Sequence, residues 1–125
     1  MGHERVARDA HAGLFFIARA GEEVAGVMRF ELDDPYFSPE VEPGTSGFIH
    51  KLAVPRVWAK KGVSTDRLSF ARARTQALGR PFLQLDCVAD RLGLRNLYED
   101  FGFSLHRVVQ RGPRSSARYE LRTTR

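Results

Sequence analysis

Residues 48–64, FIHKLAVPRVWAKKGVS, constrain the fold of this chain more than any other stretch. Residues 48–54 are apolar and β-branched enough for a strand, and Pro55, with no N–H to donate, ends it. A basic loop follows, and a long helix is expected to start at Ser64 or Thr65. A strand that feeds a loop and a helix N-terminus gathers unpaired backbone N–H groups and the positive end of the helix dipole at one spot. Lys60 and Lys61 bring two mobile positive charges to it. The physics predicts an anion site of a kind that suits phosphate.

The neighbouring segments supply the rest of an α/β domain. Residues 14–19 (LFFIAR) and 24–32 (VAGVMRFEL) read as two strands joined by a Gly-containing turn, hence a hairpin. Residues 33–46 hold three Pro and one Gly and break regular structure. Leu68, Ala71, Thr75 and Leu78 recur at helical spacing before Gly79 and Pro81. The near-continuous apolar run 82–88 (FLQLDCV) predicts a strand covered on both faces. Strand, helix and strand in this order imply a right-handed crossover, with strands 48–54 and 82–88 parallel. Leu94, Leu97, Tyr98 and Phe101 form a second helical stripe, with Asp90 as a cap candidate and Gly102 as the stop. Strands 103–110 and 118–122 close the chain as a hairpin around the turn 111–117. Residues 4–12 (ERVARDAHA) are helix-compatible, with Gly13 placed for a C-terminal cap.

At 125 residues the chain is expected to be one domain, residues 1–125, with a single core. One cysteine, Cys87, excludes an internal disulfide framework and suits a reducing compartment. No apolar run reaches the ~18–20 residues that cross a bilayer, and the N-terminus has no signal-like apolar region, so a cytoplasmic protein is expected, away from membranes. The net charge of +5 conceals an asymmetry. Residues 1–50 carry four basic and nine acidic side chains, and residues 51–125 carry sixteen and six. Dispersed surface charge accounts for this as readily as a polyanionic ligand on one side and a cationic one on the other.

The order hairpin, strand, phosphate-type loop, helix, strand, helix ending in YEDFGF, and strand hairpin resembles the GCN5-related N-acetyltransferase (GNAT) superfamily. The resemblance runs from Leu14 to Leu121 and rests on IHKLAVPRVWAKKGVS, LQLDCV and LYEDFGF in that order and spacing. It implies a mixed, mostly antiparallel α/β (α+β) sheet with one splayed parallel pair and flanking helices. It also implies that the usual first strand and first helix are lacking, residues 1–13 being the remnant of an N-terminal helix. Loss of an edge strand would favour a homodimer.

By the same resemblance acetyl-CoA is the cosubstrate and no metal is required. The family's pyrophosphate loop, Q/R-x-x-G-x-G/A, falls on Ala59, Lys60, Lys61, Gly62, Val63 and Ser64. Only Gly62 of its signature is kept, and Ser64 could cap the helix or offer its hydroxyl to a phosphate. The backbone of Leu52, Ala53 and Val54 is implied to bind the pantetheine arm as an added strand. Tyr98 matches the family's general acid, a role that the resemblance implies; its spacing alone reads as a core residue of the second helical stripe. Arg91 stands where many members carry an asparagine. The general base is open among Asp86, His50 and Glu31, each of which could instead be a structural polar group. Cys87, Trp58 and Phe48 read as packing residues.

The implied reaction is transfer of an acetyl group from acetyl-CoA to a primary amine by direct attack. The acidic hairpin and loop would suit a cationic acceptor. A non-catalytic acyl-CoA-binding module is one alternative. A basic nucleic-acid binder using Arg107 to Arg125 is a weaker one, since Tyr119 is the only aromatic residue there for stacking.

Overall fold

The computed structural model describes residues 4–8, 15–32 and 41–124. Seven strands and two helices follow one another as β1 (Glu4–Arg8), β2 (Phe15–Ala20), β3 (Glu23–Glu31), β4 (Ser46–Ala53), a 3-10 turn (Arg56–Trp58), α1 (Val63–Ala77), β5 (Phe82–Val88), α2 (Leu92–Phe101), β6 (Ser104–Arg111) and β7 (Arg114–Arg122). They form one sheet in the order β1-β2-β3-β4-β5-β7-β6. Every pairing is antiparallel except β4 with β5. The expected mixed sheet with one parallel pair is therefore present.

The expectation for the N-terminus needs correction. Residues 4–8 are a strand paired with β2 from Glu4↔Ala20 to Arg8↔Phe16, not the start of a helix. A helix this short gains little from its own hydrogen bonds, whereas β2 offers a row of edge groups to pair with. Residues 9–12, the Gly13 cap and the 33–40 part of the Pro-rich loop lie outside the described residues.

The core lies between one sheet face and the two helices. Phe16, Met28, Phe30, Ile49, Leu83 and Leu85 project from the strands onto Leu68 and Ala71 of α1 and Tyr98 of α2. The α1 stripe is Val63, Arg67, Leu68, Ala71 and Thr75. Leu78, expected on that stripe, is instead 46% exposed, because the helix ends at Ala77 and Gly79 turns the chain away at φ 75°. Arg67 is fully buried within the stripe, paired with Asp66 and with its guanidinium 5.2 Å from the centre of the Phe70 ring. Arginine's long apolar stem and stacking plane let it occupy such a position.

Two glycines seat α1 on the sheet. A Cβ on Gly26 of β3 would lie 2.7 Å from Val63 Cγ1, and one on Gly47 of β4 would lie 2.6 Å from Thr75 Oγ1 and 2.7 Å from the Phe30 ring. Val63 and Thr75 stand near opposite ends of the helix, so both ends approach the sheet closely only because these side chains are absent. This contact fixes where the N-terminus of α1 points.

Candidate active site

The parallel pair separates where the site would have to form. Strands β4 and β5 are in register from Ser46↔Phe82 to Ile49↔Leu85 and no further. Beyond that point β4 stays with β3 as far as Val27↔Ala53, and β5 stays with β7 as far as Val88↔Ser116. Each strand is thus held by its other neighbour while the two diverge. Strand residues turn their N–H and C=O alternately to either side, so the part of β4 that includes Leu52 and Ala53 presents backbone groups toward the gap. Val54 lies just past the strand and packs with Ala18, Ala25 and Val63, which anchors the exit of the chain.

From that gap the chain passes through Pro55 and the 3-10 turn to the basic loop. Lys60 has φ 62° and Gly62 φ 83°, two left-handed residues that bend the chain into the helix. The structure makes Gly62 the N-cap and starts α1 at Val63, so Ser64 is inside the first turn and does not cap through its side chain. The first intrahelical bond runs from the Asp66 N–H to the Gly62 carbonyl at 3.0 Å. The N–H groups of Val63, Ser64 and Thr65 therefore have no acceptor within the helix. Ala59, Lys60, Lys61 and Gly62 are exposed beside them. This is a fit for a diphosphate: backbone donors, a helix dipole and two ammonium groups at the mouth of a split in the sheet. A Cβ on Gly62 would meet nothing, yet its φ is costly for any other residue. Gly62→Ala should weaken binding of a diphosphate ligand at this loop by about tenfold through a strain of roughly 1–2 kcal/mol, read by calorimetry.

Tyr98 stands on α2 under the other side of the gap. It is 5% exposed, with its ring 6.0 Å from those of both Phe103 and Tyr119. Burial pushes its hydroxyl up to about 12; the negative charges of Cys87 and Asp86 act in the same direction, and Arg91 opposes them. Burial also raises the thiol of Cys87 above its ordinary value, with Arg95 pulling it down. The end of α2 is locked beneath Tyr98: the Phe103 N–H bonds to the Tyr98 carbonyl at 3.0 Å and the Gly102 N–H to the Glu99 carbonyl at 3.1 Å. The start of the helix is not capped by Asp90, for its N-cap is Arg91.

A network invisible in the sequence pins α2 to the sheet. Arg95 donates through Nε to the Tyr119 hydroxyl and through a terminal nitrogen to the Ala89 carbonyl, both at 2.9 Å. The Tyr119 hydroxyl donates in turn to Glu99 at 2.5 Å. The i, i+4 spacing of Arg95 and Glu99 was the available signal, but nothing in the chain order indicates that Tyr119 would lie between them.

The three base candidates are placed differently. His50 is the extra residue of a β-bulge, since Phe30 pairs with Ile49 but Arg29 with Lys51. The bulge brings His50 Nε2 to 3.0 Å from Glu31 Oε1, and Arg29 Nε donates to the other Glu31 oxygen at 2.7 Å. Asp86 lies across the gap on β5, accepting a 2.9 Å bond from the Ser116 hydroxyl. It lines a cavity of ≈ 300 Å³ together with Cys87, Val88, Arg114, Ser115 and Ser116. Cys87 packs against the core, as expected, but it also reaches this cavity. Among the described residues no cluster of His, Cys, Asp and Glu could hold a metal ion, and no helix is long and apolar enough to cross a membrane.

The sequence profile of the acetyltransferase (GNAT) family matches residues 2–103. The chain belongs to the GNAT acetyltransferase family. Solved structures agree on the fold of this GNAT domain. An acetyltransferase of the GNAT family from Listeria monocytogenes superposes with a TM-score of 0.70 at 18% identity, over 88% of this chain and 64% of the other. For the IAA acetyltransferase from Bacillus cereus the values are 0.71 and 18%, over 86% and 76%. For a chain of a NatC complex bound to Gag peptide and CoA they are 0.74 and 18%, over 90% and 72%. The chain thus spans 64–76% of the length of these structures. No curated protein sequence matches it.

Proposed function

We propose that this GNAT domain transfers an acetyl group from acetyl-CoA to a primary amine by direct attack of the amine on the thioester. The observation that carries this reading is the divergence of β4 and β5 after Ile49↔Leu85, with the left-handed Lys60–Gly62 loop and the bare N-terminus of α1 at its mouth. The diphosphate would rest on Lys60, Lys61, Gly62 and the N–H groups of Val63 and Ser64, and the pantetheine arm along Leu52, Ala53 and Val54. As the C–N bond forms and the C–S bond breaks, Tyr98 hands its proton to the departing sulfur. Its pKa of about 12 exceeds that of an ordinary thiol, and burial raises the Cys87 thiol nearby as well.

We assign the base to Asp86 rather than His50. Asp86 lines the cavity and acts on the ionisation of Tyr98, while His50 is turned onto Glu31. Asp86→Asn should lower kcat/KM about tenfold to hundredfold and His50→Gln less than about threefold; the reverse ranking would give His50 the role. The direct test of the reading is binding. Acetyl-CoA at 100 times its Kd should raise the unfolding free energy by about 2.7 kcal/mol. Absence of any thermal shift at millimolar acetyl-CoA would overturn the proposal, and binding without acetylation of any amine would leave a non-catalytic acyl-CoA module.

A further inference from the structure

Beyond the end of β5 the chain builds a second hollow that the proposed reaction does not use. It measures ≈ 630 Å³ and lies between the start of α2 and the β6–β7 turn, with Asp90 and Arg91 on one side and Arg114 and Ser115 on the other. Val88, Arg114 and Ser115 also line the smaller cavity that holds Asp86 and Cys87, so the two hollows adjoin. The charges of Asp86 and Cys87 reach Tyr98. The larger hollow carries the guanidinium groups of Arg91 and Arg114, from separate elements, beside the Asp90 carboxylate.

The spacing is fixed by the backbone. Val88 pairs with Ser116 at the last rung of the β5–β7 ladder, and the Ala89 N–H bonds to the Ser115 carbonyl at 2.8 Å, so the α2 approach and the β6–β7 turn are tied together. The Arg91 N–H bonds to the Val88 carbonyl at 3.0 Å, which turns the chain sharply into α2 and leaves the Arg91 side chain exposed at the rim. Opposite it, Arg114 opens β7 and is likewise exposed. The larger hollow therefore offers two guanidiniums and the Asp90 carboxylate, and the adjoining smaller one offers the Asp86 carboxylate with Arg114 shared between them.

We infer that the acceptor is a zwitterionic amine, whose ammonium group is received at Asp86 and whose carboxylate or phosphate is gripped by Arg91 and Arg114. This rests on the transferase reading for the fate of the amine, and it sharpens the cationic acceptor expected from the acidic hairpin and loop into a molecule with both signs. Guanidinium pairs favour planar or tetrahedral oxyanions that accept two bonds each. A purely cationic amine would be repelled at the rim, and a neutral one would leave both guanidiniums unmatched.

The experiment compares matched amines by calorimetry on the full chain with CoA present: alanine against alaninamide for the carboxylate, and phosphoethanolamine against ethanolamine for the phosphate. The member of at least one pair that carries the carboxylate or phosphate should bind about tenfold or more tightly than its purely cationic partner, and the pair that discriminates identifies the anionic group. Arg91→Gln with Arg114→Gln should erase that difference while changing the Kd of acetyl-CoA less than about twofold. Equal affinity within both pairs, or no binding of either alanine or phosphoethanolamine, would overturn the inference. So would a large loss of acetyl-CoA affinity in the double variant, which would give the two arginines to the cosubstrate's phosphates. Discrimination between the amines without any acetyl-CoA binding would leave this site standing and remove the transferase reading.

Discussion

Replacing Tyr98 by Phe should lower kcat by about 10²–10³ while leaving the Kd of acetyl-CoA within about twofold, because a general acid acts on the departing thiolate and not on the bound cosubstrate. The ring survives in the variant, and with it the packing on Phe103 and Tyr119. Loss of the hydroxyl alone costs at most about 1 kcal/mol of stability. Equal loss of turnover and of acetyl-CoA affinity would make Tyr98 a structural residue. The raised pKa adds an independent signature. Folded Tyr98 holds its proton up to about 12, whereas the unfolded tyrosine releases it near the ordinary value of 10.0. The stability linked to this group is thus fully present below pH 10 and is lost as pH rises toward 12, a change of roughly 3 kcal/mol for a shift of about two units. The difference in unfolding free energy between the wild-type chain and Tyr98→Phe should move by that amount between pH 9 and pH 12. A constant difference would mean that Tyr98 ionises as freely in the fold as out of it. The kcat profile should show no alkaline fall from Tyr98 below about pH 11.

Gly47→Val should be the most damaging single change to the fold, lowering stability by about 3 kcal/mol and Tm by roughly 10 °C. The added carbons would enter space already held by Thr75 Oγ1 and the Phe30 ring, at 2.6 Å and 2.7 Å from the first of them. Neither neighbour can retreat cheaply. The Thr75 hydroxyl is bonded to the Ala71 carbonyl at 2.7 Å, and the Phe30 ring meets that of Phe16 edge-on at 6.2 Å. The strain would push α1 off β4 and carry its N-terminus with it, so acetyl-CoA affinity should fall together with stability. Gly93→Ala is the contrast: that glycine lies in the first turn of α2 with nothing near its Cβ position, and the variant should gain about 0.5–1 kcal/mol. Similar thermal unfolding of the two variants would show that close approach at Gly47 does not position α1.

Local patterning made much of this fold legible. The run 82–88 is β5 to the residue, the stripe of Leu94, Leu97, Tyr98 and Phe101 faces the core, and the parallel pair follows from strand, helix and strand in succession. Boundaries slipped where the deciding contact was distant. Ser64 looked like a cap by residue type, but Gly62 took that position because a left-handed turn was needed to leave the loop. Residues 111–117 looked like a long turn, but β7 starts at Arg114 because the β6 and β5 ladders extend it on both sides.

The site divides in the same way. The loop before α1 was readable because its ingredients, a strand end, Lys60, Lys61, Gly62 and a helix start, are contiguous in the chain. The pairing of His50 with Glu31 depends on a bulge, the Arg95–Tyr119–Glu99 network on β7 meeting α2, and the hollow between Arg91 and Arg114 on a hairpin more than twenty residues away. Sequence alone determined the strands and helices between residues 15 and 111 to within a few residues, and the gathering of backbone donors near the start of α1, because those outcomes rest on local patterning and near-neighbour hydrogen bonds. Tertiary structure decided that residues 4–8 pair as a strand, that β7 begins at Arg114, that two glycines seat α1, and that Arg91 and Arg114 line one hollow, because each depends on which distant surfaces meet when the sheet closes its ladders.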